Sequence, residues 1–281
     1  MRQTVRLGSV RGIPVGLHWS LLVIAGLLSA QLYANLLPEL VPGRSSLAYA
    51  VVAGATAVAF LASILAHELG HALVADRLGV RVRRVTLWLL GGVAELADEA
   101  PRPGAELRIA VAGPAVSVGI GILSGTIAAV LALANAPDLV VGGLAWLAII
   151  NLFLAVFNLL PAAPLDGGRI LRAALWRHHG DRVRATITAS RAGQVVGWAL
   201  VALGVVEILT STASGIWTAL VGWFVLSAAR AERERAERQR PRPPSGPWGG
   251  SGWDPFARPA AHPALAPVVV VRRPPGIRRP G

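Results

Sequence analysis

Apolar residues fall along this chain in long unbroken blocks, parted by short gaps that carry most of its charge. They do not follow the three-and-four spacing of a helix with one dry face. A helix needs about 20 apolar residues to cross a bilayer. Six blocks approach or exceed that length, at 17–37, 46–78, 107–135, 143–160, 192–210 and 215–230. The last turns of the second block are expected to leave the membrane. The pattern predicts an all-α polytopic membrane protein of about six transmembrane helices.

The gaps alternate in charge. Arg2, Arg6 and Arg11 precede the first block, and Arg81, Arg83, Arg84 and Arg102 lie between the second and third, with Arg77 and Arg108 at the edges of that gap. Arg169, Arg172, Arg177, Arg182, Arg184 and Arg191 lie between the fourth and fifth, and Arg230 begins a run after the sixth. The intervening gaps hold only Arg44. Arginine is retained on the cytoplasmic side, so both termini are expected to be cytoplasmic. The first block has a long core and no small-x-small cleavage signal after it, so a retained span is expected.

Composition agrees. The chain has 281 residues, 54% hydrophobic and only 15% charged, where ordinary globular chains carry roughly 25% charged residues. With no cysteine, disulfides and thiolate metal sites are excluded. Every basic residue is arginine. The net charge of +12 is concentrated in residues 233–281, where ten arginines face Glu234, Glu237 and Asp254. In a membrane protein that charge is expected to lie against anionic lipid, and no nucleic-acid partner is expected. The sequence divides into a membrane domain at 1–231 and a tail at 232–281. The tail opens with alternating Arg and Glu, then turns rich in Pro, Gly and Arg, a composition expected to be disordered.

Against this apolar background stands His67-Glu68-Leu69-Gly70-His71, at the end of the second block. Positions i and i+4 share a helix face, so His67 and His71 can bind one metal ion, and Glu68 is placed to act as base toward a metal-activated water. Two histidines leave zinc short of its usual three protein ligands. The end of the fourth block offers Asn158-Leu159-Leu160-Pro161-Ala162-Ala163-Pro164-Leu165-Asp166-Gly167-Gly168, where prolines and glycines disrupt a helix and let Asp166 turn inward. The second and fourth blocks run in the same direction. His67 lies 21 residues after Ser46 and Asp166 lies 23 after Gly143, so at about 1.5 Å per residue both sit roughly 30 Å from the outer face.

Together the two motifs closely resemble the site-2 protease family of intramembrane zinc metalloproteases, in its bacterial sporulation-type branch. HELGH is similar to the family's His-Glu-x-x-His, and Asn158 to Gly168 to its Asn-x-x-Pro-x-x-Pro-Leu-Asp-Gly-Gly. Gly12-Ile13-Pro14-Val15 before His18-Trp19, and Ala112-Gly113-Pro114, look like further family features. The resemblance covers about residues 8–230. It implies one zinc ion held by His67, His71 and Asp166, Glu68 as general base, and Asn158 holding substrate or stabilising the transition state. It implies a bacterial plasma-membrane enzyme whose partners are membrane lipid, transmembrane protein substrates of regulatory type, and an upstream site-1-type protease. The branch often carries paired CBS domains after the last span; this chain has a short basic tail there, so nucleotide control is not carried over. A small membrane-inserted sheet beside the site is also implied, and 81–96 fits it, with Gly91-Gly92 expected to be the turn.

Other polar residues have plainer readings. His18 and Trp19 are expected to anchor the interface, His178 and His179 to lie in a cytoplasmic loop, and Glu207 to snorkel to headgroups. Asn151 is expected to bond between helices, and Gly121/Gly125 and Gly193/Gly197 to allow close packing. Two rival functions compete with proteolysis: a transporter or channel with His and Asp on an ion path, and a catalytically silent scaffold that binds membrane regulators. Neither explains the intact Glu68 between two histidines.

Overall fold

The computed structural model describes residues 4–88, 91–210 and 215–239. Two strands come first, β1 (Val5–Val10) and β2 (Ile13–Leu17). Helix α1 (Ser20–Gln31) follows and passes through a π-helical turn (Leu32–Leu36) into α2 (Leu37–Leu40). Pro38 has no N–H to offer the Ala34 carbonyl, a common cause of such a wide turn. Helix α3 (Ser46–Arg77) is capped by Ser45, whose side chain accepts from the Ala48 N–H. Strands β3 (Val82–Trp88) and β4 (Gly91–Leu96) come next, then α4 (Pro103–Leu133) and α5 (Asp138–Asn158). Helices α6 (Asp166–His179), α7 (Arg182–Leu209) and α8 (Gly215–Arg238) complete the described chain.

Among the described residues, five helices are long and apolar enough to cross a membrane: Ser20–Leu40, Ser46–Arg77, Pro103–Leu133, Asp138–Asn158 and Arg182–Leu209. The sixth block is helical as well, but α8 passes into the Arg/Glu run, so only its first part, 215–229, is apolar. The predicted all-α membrane architecture with a small sheet is therefore observed. Residues up to Arg240 form one compact unit. The tail expected to be disordered lies outside the described residues beyond Gln239.

Three local features depart from expectation. The N-terminal segment is a hairpin: β1 pairs antiparallel with β2, through Arg11 and Gly12 at positive φ. Strand β2 then pairs parallel with β3, giving a four-stranded sheet in the order β1-β2-β3-β4. Gly91 and Gly92 are strand residues, opposite Trp88 and Leu87, so they are not the turn. Finally, the arginine-bearing gap after Asp166 is largely helix. Its end is set by Gly180 in the left-handed conformation, and the next residue, Asp181, caps α7 by accepting from the Arg184 N–H. His178 and His179 thus end α6 rather than lying in a loop.

The sheet docks on the last third of α3, where Ile13 and Val85 bury against Ala72. A second cluster at that end joins Ala75 and Val80 to Ala105 and Ile109 of α4. At the opposite end of α3, Tyr49, Ala53 and Ala57 pack on Leu32, Leu37 and Leu139. Helix α3 is thereby fixed at both ends. Glycines let the helices approach closely: Gly121 lies against Ala148 and Leu152 of α5, and Gly197 against Leu226 of α8. Both predicted small-residue pairs work within the chain. Glu207 is also used internally, accepting from the Thr218 hydroxyl on α8 at 2.8 Å. Asn151 is fully buried and donates to Leu147 of its own helix rather than to another.

Candidate metal centre

His67 and His71 occupy one face of α3, and that face looks onto α4. Gly70, between them in sequence, makes the approach close: a Cβ there would lie 3.1 Å from the Ala112 carbonyl oxygen. Helix α5 ends at Asn158, and a loop through Pro161 and Pro164 returns the chain toward α3. Gly167 and Gly168 in the first turn of α6 lie directly against the backbone of 159–163, where any side chain would collide. That close fit turns the first residue of α6, Asp166, inward.

The three side chains converge. Asp166 Oδ2 lies 3.2 Å from His67 Nε2 and 3.1 Å from His71 Nε2, and the two Nε2 atoms are 3.2 Å apart. All three residues are buried. The outer nitrogens are also engaged: His71 Nδ1 is 2.7 Å from the Ile109 carbonyl oxygen and His67 Nδ1 is 2.9 Å from Ser117 Oγ. A carbonyl only accepts, so His71 carries its proton on Nδ1 and, when neutral, presents a bare Nε2. Two nitrogens and a carboxylate oxygen this close stay together only with positive charge among them, as a shared proton or a metal ion. Burial works against the charge on Asp166; when the histidines carry protons on Nε2, their hydrogen bonds hold its carboxyl down at about 2.

The donor set fits a metal. His67, His71 and Asp166 are the one group of three such residues, among those described, whose ligand atoms lie within 4.8 Å of one another. Space for the ion is built in as well. Gly113 of α4 faces the cluster, and a Cβ there would overlap Nε2 of both histidines.

A cavity of about 310 Å³ opens onto this cluster. Its polar lining is His67, Glu68, His71, Asn158, Asp166 and Arg169, and Trp88, Ile109 and Phe224 are among its apolar walls. Glu68 is half-buried, and Gly92 of β4 lies over its side chain: a Cβ at Gly92 would sit 2.8 Å from Glu68 Cδ. Asn158 spends one N–H on the Leu154 carbonyl at 3.0 Å and faces the cavity from the end of α5. Arg169 Nη1 is 3.9 Å from Asp166 Oδ1, the oxygen that does not meet the histidines.

All five residues singled out by the motifs therefore meet in one place. Sequence reasoning missed Gly92, Ser117, Arg169, Trp88 and Phe224. Arg169 directly follows the Asp-Gly-Gly motif and could have been found there; nothing local marks the others. His18 lies apart from the cluster, where its N–H donates to the Leu87 carbonyl and its ring meets Ser20.

Helix bundle, sheet and centre together define a multi-pass membrane protein with a two-His, one-Asp cation site that opens onto a cavity. The chain belongs to Peptidase family M50, which matches it at residues 55–140 and 124–203. It is 49% identical over 241 residues to Rip3 of Mycobacterium tuberculosis, a protein assigned as a zinc metalloprotease; the match covers 85% of this chain and 61% of that one. It is 34% identical over 218 residues to zinc metalloprotease MJ0392 of Methanocaldococcus jannaschii, covering 75% and 58%. The solved structure of a site-2 protease from Methanocaldococcus jannaschii superposes with a TM-score of 0.56 at 32% identity, covering 82% of this chain and 94% of that one. The chain thus spans about three fifths of the length of these curated relatives.

Proposed function

We propose that this protein is a zinc-dependent intramembrane endopeptidase that cuts membrane-anchored regulatory proteins in or beside a transmembrane segment. One observation carries the reading. A complete buried ligand trio and a carboxylate base open onto the same cavity, and the base comes from the residue next to the first histidine.

In this reading His67, His71 and Asp166 hold the zinc ion. Zinc supplies Lewis acidity, lowering the pKa of water and polarising a carbonyl. Glu68 takes a proton from the attacking water and gives it to the amide nitrogen as the C–N bond breaks. The water oxygen ends on the acyl carbon, and the products are a carboxylic acid and an amine. The second N–H of Asn158 donates to the carbonyl oxygen as that oxygen gains negative charge. A transmembrane helix hides its backbone, so substrate must unwind to be cut. Strand β4 is an edge of the sheet, and Gly92 and Ala94 line the cavity, which suits it to pair with an extended substrate strand.

The arginine distribution supports a plasma-membrane protein with both termini in the cytoplasm. On that orientation the site draws water from the cytoplasmic side. Residues 1–231 form the catalytic domain, the 232–281 tail contacts anionic lipid, and an upstream site-1-type protease prepares the substrate.

The test is Glu68→Gln in the full chain. Zinc should stay bound at about one per chain while cleavage of a model transmembrane substrate falls by about 10²–10⁴-fold. Wild-type cleavage by the purified variant would overturn the mechanism. A wild-type chain that binds no zinc and cleaves nothing would reopen the scaffold and transporter readings.

A further inference from the structure

Helix α4 contributes no ligand, yet it touches both histidines from behind. The Ile109 carbonyl takes the Nδ1 proton of His71, and two turns further along α4 the Ser117 hydroxyl meets Nδ1 of His67 at 2.9 Å. Ser117 is wholly buried (0% exposed), and among the described residues His67 is its only hydrogen-bond partner. Burying a hydroxyl without a partner is costly, and at Ser117 the contact with His67 removes that cost.

The contact also has a chemical consequence. Imidazole has two tautomers, and only the one protonated at Nδ1 has a lone pair on Nε2. For His71 the choice is fixed by a backbone carbonyl, which no substitution of a side chain alters. For His67 it rests on a side chain. When Ser117 accepts from Nδ1–H, the His67 lone pair points at Asp166 and His71; with no acceptor there, the proton is free to sit on Nε2 and block the site.

We infer that Ser117 is a positioning residue of the metal centre, one that holds His67 in the ring orientation and tautomer needed to bind the ion. The inference rests on the metal site proposed above. Partners of this kind typically tune metal affinity by about 10–100-fold.

The test is a zinc titration of the full chain in detergent micelles, stripped of metal and read against a competing chromophoric chelator. Wild type, Ser117→Ala and Ser124→Ala are compared. Ser124 is a second buried serine of α4, seven residues further on and so about 10 Å along the axis. Ser117→Ala should bind zinc about 10–100-fold more weakly, with unchanged helical circular dichroism, and its cleavage rate should return toward wild type as zinc is raised. Ser124→Ala should match wild type in zinc affinity. Equal affinity in wild type and Ser117→Ala would overturn the inference and leave the metal site standing, as would an equal loss in both serine variants. A wild-type chain that binds no zinc would overturn the metal site itself.

Discussion

The sharpest perturbation available is a single methyl group at Gly113. A Cβ built there overlaps Nε2 of both His67 and His71. Zinc–nitrogen bonds are about 2.0–2.1 Å long, so the methyl takes the volume in which the ion must lie. Its effect on the fold is far milder. Overpacking costs typically about 1–3 kcal/mol, and replacing glycine by alanine inside a helix returns roughly 0.5–1 kcal/mol. The net loss of about 0–2.5 kcal/mol lies within what a folded domain of about 5–15 kcal/mol tolerates. Gly113→Ala should therefore yield a folded protein that carries almost no zinc and cleaves nothing. Gly119, on the same helix, has open space where its Cβ would go, and Gly119→Ala should keep zinc and lose no stability. Zinc per chain by atomic emission and the midpoint of unfolding by circular dichroism read the two effects separately. Stoichiometric zinc in Gly113→Ala would refute the placement of the ion between these histidines.

Two further outcomes follow from the same geometry. Gly92→Ala should push Glu68 aside without reaching the ligand trio, so zinc should stay at wild-type stoichiometry while hydrolysis drops by up to about 10²–10⁴-fold; wild-type turnover in that variant would show that the strand does not hold the base. Because the chain has no native cysteine, Gly180→Cys gives a single label site between α6 and α7. A membrane-impermeant thiol reagent should label it only after the cells are opened, and labelling from the outside would reverse the proposed orientation.

What the sequence revealed and what it hid divide along physical lines. The spanning helices announce themselves because lipid tolerates no uncompensated backbone, and each needs a long apolar block that composition makes plain. The ligands were legible because metal binding demands particular residue types at helical spacing. The parallel pairing of β2 with β3 was not, because its partners are distant: Val15 meets Val85 across 70 residues. Helix α6 was masked by its own polarity, since it is too charged to be a span. The Gly91-Gly92 pair misled for a subtler reason. Glycines so placed usually make a turn, whereas Gly92 is needed because a carboxylate side chain lies across it. Ser117 illustrates the same limit. Nothing in the sequence around Ser117 gives a sign of its partner, which stands 50 residues earlier.

Glu106 is among the most deeply buried acids of the chain, and its partners come late. Arg172 of α6 donates to it at 2.6 Å and also to Glu232 of α8 at 2.7 Å, while Arg182 of α7 lies near it and pairs with Glu99. During synthesis α4 leaves the ribosome long before any of these arginines exists. Until then its carboxylate must stay hydrated at the membrane surface, because burying it alone is costly. Burial of Glu106 therefore waits at least for α6, which brings the first of these arginines. The hydrolytic centre, whose own third ligand arrives 95 residues after His71, is thus completed only when most of the protein has been made.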